Sequence, residues 1–340
     1  MKRLLVSHLD LDGWGSVVIY LYFKEKDVLP PELEFDKYMI VDYGWEKLKE
    51  NIDYVCSFDE VIMADMSVPE DIAKEIRAKG VYLRMFDHHL SSEWLKNDSD
   101  SIWDDTRCGT RIFWEDYCLK AIKRYAPILQ DFVDIVDTYD CWREDSPLWE
   151  EAKGLNAVLY ALKNWKAPDE ISVNQEFVEL MLRKFSLYPE KWVWMPKEQK
   201  IIEEAKVRED NLYKQALESM KIRQDRKGRI FGVILLNSKI SIVCARILKD
   251  KPEMDYIICI NSFKGVNGKL SYRTRRPDFD LNSLAGVHGH AVASGGIVLP
   301  ETAKRVWEED YVPVYVDEPE YDESSDFAEF VYYNQDDVWF

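Results

Sequence analysis

The sequence predicts an α/β protein with a mostly parallel N-terminal sheet, a helical connector and a smaller α/β C-terminal domain. At 340 residues the chain is long enough for two domains with separate cores. Short apolar runs alternate with helical patterns, an arrangement typical of parallel sheets. The five histidines fall only in acid-rich or glycine-rich segments, and two of them lie in Phe86-Asp87-His88-His89. Such sparing use of histidine indicates metal or phosphate chemistry.

Composition limits the kinds of partner that the protein can bind. Hydrophobic residues make up 46% of the chain and aromatic residues 13%, which indicates a globular protein. The formal net charge of −18 argues against a protein that wraps long DNA or RNA, because phosphate neutralisation needs a basic face. Any nucleic-acid substrate is therefore expected to be short, or to be held by a local basic patch together with metal ions.

The cysteines and the N-terminus predict a cytoplasmic protein. The six cysteines contain no C-x-x-C pair, so they are expected to be reduced and mostly buried thiols. The three apolar residues between Arg3 and Ser7 predict a first strand rather than a signal peptide. No apolar run is long enough to span a membrane, so no membrane partner is expected.

The first element is a strand at residues 3–6, followed by potential metal ligands at alternate positions. His8, Asp10 and Asp12 would all project to one side if this segment stays extended. Glycines after it allow a tight turn into a helix predicted at residues 16–24. In open α/β sheets, ligands bind beyond the carboxyl ends of the strands, where these side chains would lie.

Three of the predicted strands end in Asp or His. The later strands are predicted at residues 37–41, 60–64 and 81–86, with a helix at 70–79 that Pro69 opens. Asp65 follows one of these strands and Asp87-His88-His89 follows another. Because the carboxyl ends of parallel strands meet at one edge of a sheet, these groups are expected to converge.

Two amphipathic helices are predicted next, at residues 110–124 and 128–141. The second carries an aspartate at every third position, which places neighbouring members roughly on one face. The series is Asp131, Asp134, Asp137 and Asp140. Four like charges on one face need cations nearby, and Asp137 and Asp140 are both candidates for a further metal ligand.

Residues 150–225 are predicted to be helical and carry no catalytic pattern. A long helix at residues 197–221, rich in Glu and Lys pairs, is expected to connect the two domains. The tryptophans of this section are interpreted as core or interface residues rather than as a stacking platform.

A second α/β unit begins near Arg229. Its predicted elements are strands at residues 230–236, 255–262 and 269–273 and a helix at 240–248. Arg273-Thr274-Arg275-Arg276 is the densest basic cluster, and a glycine-rich segment containing His288, Gly289 and His290 follows it. Small residues let backbone N–H groups approach an anion closely, so the two segments together predict phosphate recognition. The acidic, aromatic residues from Glu301 onward are either a docking segment for a protein partner or a solvated extension.

The predicted metal ligands are nitrogen and oxygen donors: His8, Asp10, Asp12, Asp65, His88 and Asp137 or Asp140. They are too many for one tetrahedral zinc ion and suit two ions about 3.5–4 Å apart that share a carboxylate. Imidazoles and carboxylates without thiolates favour two Mn²⁺ ions, with Mg²⁺, Co²⁺, Fe²⁺ or Zn²⁺ as alternatives.

The order of these segments resembles the motifs of the DHH phosphoesterase family. The matching segments are His8-x-Asp10-x-Asp12-Gly, the strand-end Asp65, Asp87-His88-His89 and a later helical aspartate. Arg273 and the Gly-His segment resemble the substrate domain associated with that family. The compact first motif is similar to the nanoRNase (oligoribonuclease) branch rather than to inorganic pyrophosphatases.

The resemblance implies two domains with the active site in the cleft between them. The implied division is a catalytic domain at residues 1–145, a connector at 146–225, a substrate-binding domain at 226–305 and an acidic aromatic extension at 306–340. One metal ion would be held by His8, Asp10 and Asp65. The other would be held by Asp12, Asp65, His88 and either Asp137 or Asp140.

The resemblance also implies catalytic and substrate-binding roles. The catalytic residues would be Asp87, His88 and His89, with Asp87 supporting the ligands and His89 facing the scissile phosphate. Arg273 and His290 would grip the far end of the substrate. Further substrate-binding candidates beside them are Arg275, His288 and Gly289.

The leading hypothesis is a metal-dependent phosphoesterase, a Mn²⁺ phosphodiesterase or exonuclease that hydrolyses short oligonucleotides to mononucleotides. Alternatives with the same chemistry are a cyclic-dinucleotide or nucleotide-bisphosphate phosphoesterase and a RecJ-like single-strand DNA exonuclease. A non-catalytic metal-binding regulator is disfavoured because all the expected ligand positions are filled. The sequence leaves open the direction of digestion, the choice of RNA or DNA, and whether the protein forms a homo-oligomer.

Overall fold

The computed structural model describes most of the chain, in two compact units, Met1–Glu203 and Glu204–Phe340. The described residues are 1–26, 29–30, 33–41, 48–122, 126–164, 166–167, 169–262, 268–284, 286–290, 292–298, 300–308 and 311–316. At residues 170, 262, 268, 288–290, 297, 298 and 300 the description covers the backbone alone. The predicted tail beyond residue 316 and the side chains of His288 and His290 therefore lie outside it.

The N-terminal unit is built on a five-stranded parallel sheet. Its strands are β1 (Arg3–His8), β2 (Lys37–Val41), β3 (Glu60–Ala64), β4 (Tyr82–Asp87) and β5 (Ile102–Trp103). Their order is β2-β1-β3-β4-β5, with parallel neighbours throughout. The chain leaves β1 toward one edge and continues from β3 toward the other. The carboxyl ends of β1 and β3 therefore flank the switch point at which open α/β sheets bind ligands.

Helices cover both faces of this sheet. They are α1 (Leu11–Glu25), α2 (Glu70–Ala78), α3 (residues 109–122), α4 (Pro127–Asp140), α5 (Trp149–Leu162) and α6 (Gln175–Leu187). Shorter helical segments are Ile52–Val55, Leu90–Asn97 and Glu170–Val173. Alternate residues of β1 enter opposite cores, Leu5 on the side of α1 and α4, and Leu4 and Val6 on the side of α2. The predicted parallel α/β fold is confirmed.

Helix α1 begins earlier than the predicted start at residue 16. Asp10 is the N-cap residue, and its side chain accepts a hydrogen bond from the backbone N–H of Gly13. Residues 8–12 are therefore not extended, because His8 ends β1 while Asp12 already lies in the first helical turn. The expectation that three ligands project by strand alternation is wrong, since a helix cap brings them together instead.

The C-terminal unit contains a six-stranded mixed sheet. Its strands are β6 (Lys221–Gln224), β7 (Ile230–Leu235), β8 (Tyr256–Ser262), β9 (Gly268–Thr274), β10 (His288–His290) and β11 (Ala293–Val298). The order is β10-β11-β9-β8-β7-β6, in which β7 and β8 are parallel and the other neighbours antiparallel. Three helices belong to this part of the chain: α7 (Pro196–Ser219), α8 (Ile240–Asp250) and α9 (Pro300–Glu308).

The four-part division predicted from the sequence differs from the two units at two places. Helices α5 and α6 lie in the predicted connector, yet they bury residues such as Leu155 and Phe177 in the N-terminal core. Val306 and Tyr315 lie in the predicted extension, yet both are buried in the core of the C-terminal unit. The burial of these apolar side chains in the two cores explains both differences. The boundary between the two units, at Glu203, falls within the long helix α7, which is part of the predicted connector.

No helix in the described ranges has the length and apolar character that a membrane crossing requires.

A buried ion pair, Lys184 with Glu198, lies among the helices of the N-terminal unit. The two side chains are 0% exposed, and Lys184 Nζ is 2.6 Å from Glu198 Oε1. The same ammonium group lies 3.7 Å from the ring centroid of Trp192 and 4.5 Å from that of Trp194. Burial lowers the pKa of Lys184 to about 8, although the Glu198 carboxylate acts to raise it.

This lowered pKa predicts a stability that rises with pH. Below pH 8 Lys184 is charged in both states and the folded state carries the full burial cost. Between pH 8 and the ordinary lysine value the folded state releases its proton first, which stabilises it by up to about 3 kcal/mol. We expect the difference in unfolding free energy between the wild type and Lys184→Met/Glu198→Gln to grow by that amount from pH 7.5 to pH 10.5. Urea titrations measure it, and a constant difference would contradict the assignment.

Candidate metal centre

The first two ligands come from the junction of β1 and α1. His8 ends the strand, and its Nδ1 lies 3.0 Å from Asp10 Oδ2. The other carboxylate oxygen of Asp10 accepts the N–H of Gly13 at 2.8 Å, which fixes the side chain as a helix cap. Glycine is required at position 13, because a Cβ there would lie 2.1 Å from the carbonyl oxygen of His8.

Asp12 reaches the same region from the first turn of α1. Its carboxylate is buried and accepts two backbone hydrogen bonds, from Gly109 N at 2.6 Å and Thr110 N at 2.8 Å. Asp12 Oδ2 also lies 3.8 Å from His88 Nε2. Each oxygen of Asp12 thus keeps capacity for one further partner.

Asp65, at the end of β3, lies between two groups of ligands. Its Oδ2 is 4.0 Å from His8 Nδ1, and its Oδ1 is 3.4 Å from His88 Nε2. The residue is 1% exposed, and neither carboxylate oxygen accepts a hydrogen bond from any residue that the structure describes. Its φ of 60° lies in the left-handed region, which is rare outside glycine and often marks functional sites.

Asp87 is held entirely by protein donors. One oxygen accepts the N–H groups of His88 and His89 at 2.8 and 3.2 Å and lies 2.7 Å from His89 Nδ1. The other accepts the hydroxyl of Ser92. Asp87 therefore orients the two imidazoles and has little capacity left for a metal ion.

The structure distinguishes the two aspartates that the sequence left as alternatives. Asp140 Oδ2 lies 3.3 Å from His88 Nε2 and accepts no hydrogen bond from the described residues. Asp137 instead accepts the N–H of Cys108 at 2.9 Å and pairs with Arg111 and Arg143 at 3.1 and 3.0 Å. The geometry therefore places Asp140, and not Asp137, with the other candidate ligands.

Burial and mutual repulsion raise the pKa values of two of these carboxylates. Burial, followed by the charges of Asp12, Asp10 and Asp140, raises the pKa of Asp65 well above its ordinary value. Burial and the charges of Asp12 and Asp10 have the same effect on the pKa of Asp140. Without cations, these groups therefore favour protonation.

Neighbouring imidazoles lower the pKa values of two further carboxylates, Asp10 and Asp87. Burial acts to raise the pKa of Asp10, but His8 outweighs it and holds the value below the ordinary range. His89 does the same for the pKa of Asp87, again against burial. Burial and the neighbouring His89 lower the pKa of His88, so this imidazole is neutral and able to bind a metal.

Among the described residues, the donor atoms form three groups with ligand atoms within 4.8 Å of one another. The first consists of His8, Asp10 and Asp65, the second of Asp12, His88 and Asp140, and the third of Asp65, Asp87, His88 and His89. In the third group, Asp87 is already satisfied by protein donors. Asp65 lies within 4.0 Å of both His8 and His88. Buried oxygen and nitrogen atoms without hydrogen-bond partners, in Asp65, His88 and Asp140, are what divalent cations would satisfy. The residues therefore fit a divalent-metal centre.

Of the predicted substrate-binding residues of the C-terminal unit, Arg273 is buried. Arg273 is 7% exposed, and its guanidinium donates to the carbonyl oxygens of Tyr272 and Ser294 and to the hydroxyl of Ser241. Burial lowers its pKa. Arg275 is exposed, and the backbone of residues 288–290 forms β10, paired with β11. Substrate binding by these residues stays a prediction.

Sequence reasoning missed the turn formed by Cys108, Gly109 and Thr110. Its backbone N–H groups donate to Asp12 and Asp137. Cys108 is the N-cap residue of α3, and Gly109 and Thr110 lie in its first turn. The available signal was this run of small residues at the start of a helix, which often indicates a close backbone approach. Ser92 was missed as well, because a serine within a loop has no distinguishing pattern.

Known proteins resemble this chain in sequence and in fold. No family model matches the chain. Oligoribonuclease NrnB of Bacillus subtilis (strain 168) is 24% identical over 313 residues, which cover 87% of this chain and 73% of that protein. A solved DHH domain, from a protein described as a member of a family of ribosomal proteins, is 16% identical with a TM-score of 0.60, and covers 91% of this chain and 87% of that chain.

RecJ from Thermus thermophilus, solved in complex with Mn²⁺, shares the fold over 90% of this chain and 51% of its own, with 14% identity and a TM-score of 0.50. The chain is thus similar in sequence to an oligoribonuclease and in fold to a DHH domain and to RecJ, as the resemblance to DHH phosphoesterases predicts. The same similarities support the prediction of a phosphoesterase hydrolase.

Metal binding is predicted to weaken as the pH falls. The raised pKa values of Asp65 and Asp140 mean that a cation must displace protons, so affinity should drop about tenfold per pH unit for each proton displaced. Isothermal titration with Mn²⁺ at pH 5.5 and pH 7.5 measures the drop. Titrations in two buffers of different ionisation enthalpy give the number of protons released. Equal affinity at both pH values would contradict the raised pKa values.

Proposed function

We propose that the protein is a two-metal phosphodiesterase, with Mn²⁺ as its ion, that shortens oligonucleotides of a few residues to mononucleotides. The observation that carries the proposal is the position of Asp65 between two groups of nitrogen and oxygen donors. A shared carboxylate is typical of paired metal ions that act on phosphate esters. The oligoribonuclease named among its relatives supports the substrate class.

The ligands are assigned by group. His8, Asp10 and Asp65 would hold one ion, and Asp12, Asp65, His88 and Asp140 the other. When bound there, the ions would lower the pKa of a water molecule and neutralise charge that develops on the phosphate. The set contains carboxylates and imidazoles without a thiolate, which favours Mn²⁺.

The protein's own contribution is to orient His89 toward the phosphate. Asp87 Oδ1 lies 2.7 Å from His89 Nδ1, so the Nε2 atom is the one assigned to the substrate. Trp103 Nε1 donates to the carbonyl oxygen of His89 at 2.7 Å and so holds the main chain of that residue. Ser92 fixes the second oxygen of Asp87 and is itself 2.6 Å from the hydroxyl of Ser67. This chain of contacts limits how far the imidazole can rotate.

A short substrate is favoured by the charge of the chain. A net charge of −18 disfavours a long phosphate backbone outside the metal centre. The C-terminal candidates, Arg273, Arg275 and His290, are proposed to hold the distal end of such a substrate.

A mass-spectrometric screen of purified protein with Mn²⁺ tests the function. The substrates are di- to pentanucleotides of RNA and DNA, cyclic dinucleotides, pyrophosphate and nucleotide bisphosphates. We expect mononucleotides from the short oligonucleotides. Turnover of only a cyclic dinucleotide or a bisphosphate would replace the proposal with that activity, and no turnover of any substrate would favour a non-catalytic regulator.

The neighbouring aspartates of α4 provide a matched pair of variants. Asp140→Asn should lower Mn²⁺ affinity and activity by at least about 10- to 100-fold, the loss that even an outer hydrogen-bond partner causes. It should also raise the melting temperature of the metal-free protein at pH 8, because burial and the neighbouring charges that raise the pKa of Asp140 make its ionisation unfavourable in the folded state. Asp137→Asn should keep the metal affinity and destabilise the fold by about 2–4 kcal/mol, because Arg111 and Arg143 each lose an ion pair with a buried carboxylate.

Calorimetric titration with Mn²⁺ and thermal unfolding of both variants measure these effects. The assignment fails if Asp137→Asn loses the metal and Asp140→Asn keeps it.

A further inference from the structure

The turn Cys108–Thr110 contacts two of the acidic residues through its backbone. Three consecutive N–H groups each donate to a carboxylate. Cys108 N donates to Asp137 Oδ1 at 2.9 Å, Gly109 N to Asp12 Oδ2 at 2.6 Å and Thr110 N to Asp12 Oδ1 at 2.8 Å. One turn therefore fixes side chains from α1 and α4 at once.

Gly109 also packs directly against Asp65. A Cβ at position 109 would lie 2.5 Å from Asp65 Cα, 2.6 Å from its Cβ and 2.8 Å from its N. These are main-chain atoms and the base of a side chain, so no rotamer change can relieve the contact. Asp65 itself is constrained, because its N–H donates to the carbonyl oxygen of Phe86 at 2.9 Å and its φ is 60°. Any side chain at position 109 must therefore displace Asp65 or the turn.

The side chain of Thr110 adds a further contact to Asp12. Its hydroxyl donates to the carbonyl oxygen of Asp12, and it lies 3.5 Å from the hydroxyl of Ser16. The turn fits closely against α1 there, since a Cβ at Gly15 would lie 2.3 Å from Thr110 Oγ1. Backbone and side chain together thus hold both the carboxylate and the main chain of Asp12.

We infer that the turn Cys108–Thr110 is a positioning element of the metal centre, and that Gly109 sets the distance between Asp12 and Asp65. The inference rests on the proposed two-metal function. Asp12 and Asp65 are assigned to the same ion. A shift of a few tenths of an ångström between them would therefore change the arrangement of that ion's ligands. The two N–H bonds to Asp12 also direct its remaining lone pairs, as hydrogen-bond partners of metal ligands generally do.

The test compares Gly109→Ala with the control Gly154→Ala. A Cβ at Gly154 meets only side-chain atoms, of Ile202 and Trp194, at 3.1 Å or more. Titration calorimetry with Mn²⁺ gives the affinity and the number of ions, and electron paramagnetic resonance reports whether two Mn²⁺ ions are spin-coupled. We expect Gly109→Ala to lose about 10- to 100-fold in affinity for the second ion and to show the signal of isolated Mn²⁺. Gly154→Ala should keep the coupled signal.

A coupled pair of normal affinity in Gly109→Ala would overturn the inference. A wild-type protein that binds no second ion would instead refute the proposed function, so the two failures are distinguishable.

A second pair of variants tests the positioning role of the turn if Gly109→Ala does not fold. Thr110→Val keeps the shape of the side chain and removes the hydroxyl, whereas Thr110→Ser keeps the hydroxyl. We expect Thr110→Val to weaken binding of the second ion about tenfold and Thr110→Ser to restore it. Equal effects of the two substitutions, or none, would overturn the inference. A purely structural role would lower the melting temperature in both variants without changing the spin coupling.

Discussion

A buried carboxylate that receives no hydrogen bond from the described residues is the constraint on which the N-terminal unit depends. Asp65 is 1% exposed, and the charges of Asp10, Asp12 and Asp140 act on it. Burying such a group without partners costs several kcal/mol, so it persists only where the surrounding fold leaves it no alternative. The left-handed backbone of Asp65 and the close packing of Gly109 against it hold the carboxylate in this buried position.

The sheet topology explains why these charges meet at one place. The strand order reverses at β1, so the ends of β1 and β3 flank the crevice in which sheets of this kind bind ligands. The N-terminal cap of α1 and the C-terminal end of α4 supply carboxylates to the same edge. The candidate ligands therefore lie in, or directly next to, strands and helices. Such elements fix the positions of ligands more precisely than flexible loops do.

Local patterns in the sequence were enough to predict the strands and the ligands at their ends. The strand-end positions of His8, Asp65 and His88 are visible because apolar runs stop there. The choice between Asp137 and Asp140 was not predictable, because both lie on one helical face and what separates them is the pairing of Asp137 with two distant arginines. Likewise, the role of Gly109 depends on a contact with a residue 44 positions earlier, which one sequence does not reveal.

Charge balance links the acidic site to an anionic substrate. Asp10, Asp12, Asp65 and Asp140 bring four carboxyl groups to one buried region, and the arginines nearby pair with Asp134 and Asp137 instead. A phosphate group cannot approach four carboxylates in a site of low dielectric constant, because like charges repel strongly there. Two divalent cations carry four positive charges and would balance the four carboxylates. Under the proposed function, the cations would displace the protons of Asp65 and Asp140 and offset the charge of the carboxylates, so metal binding is expected to precede substrate binding.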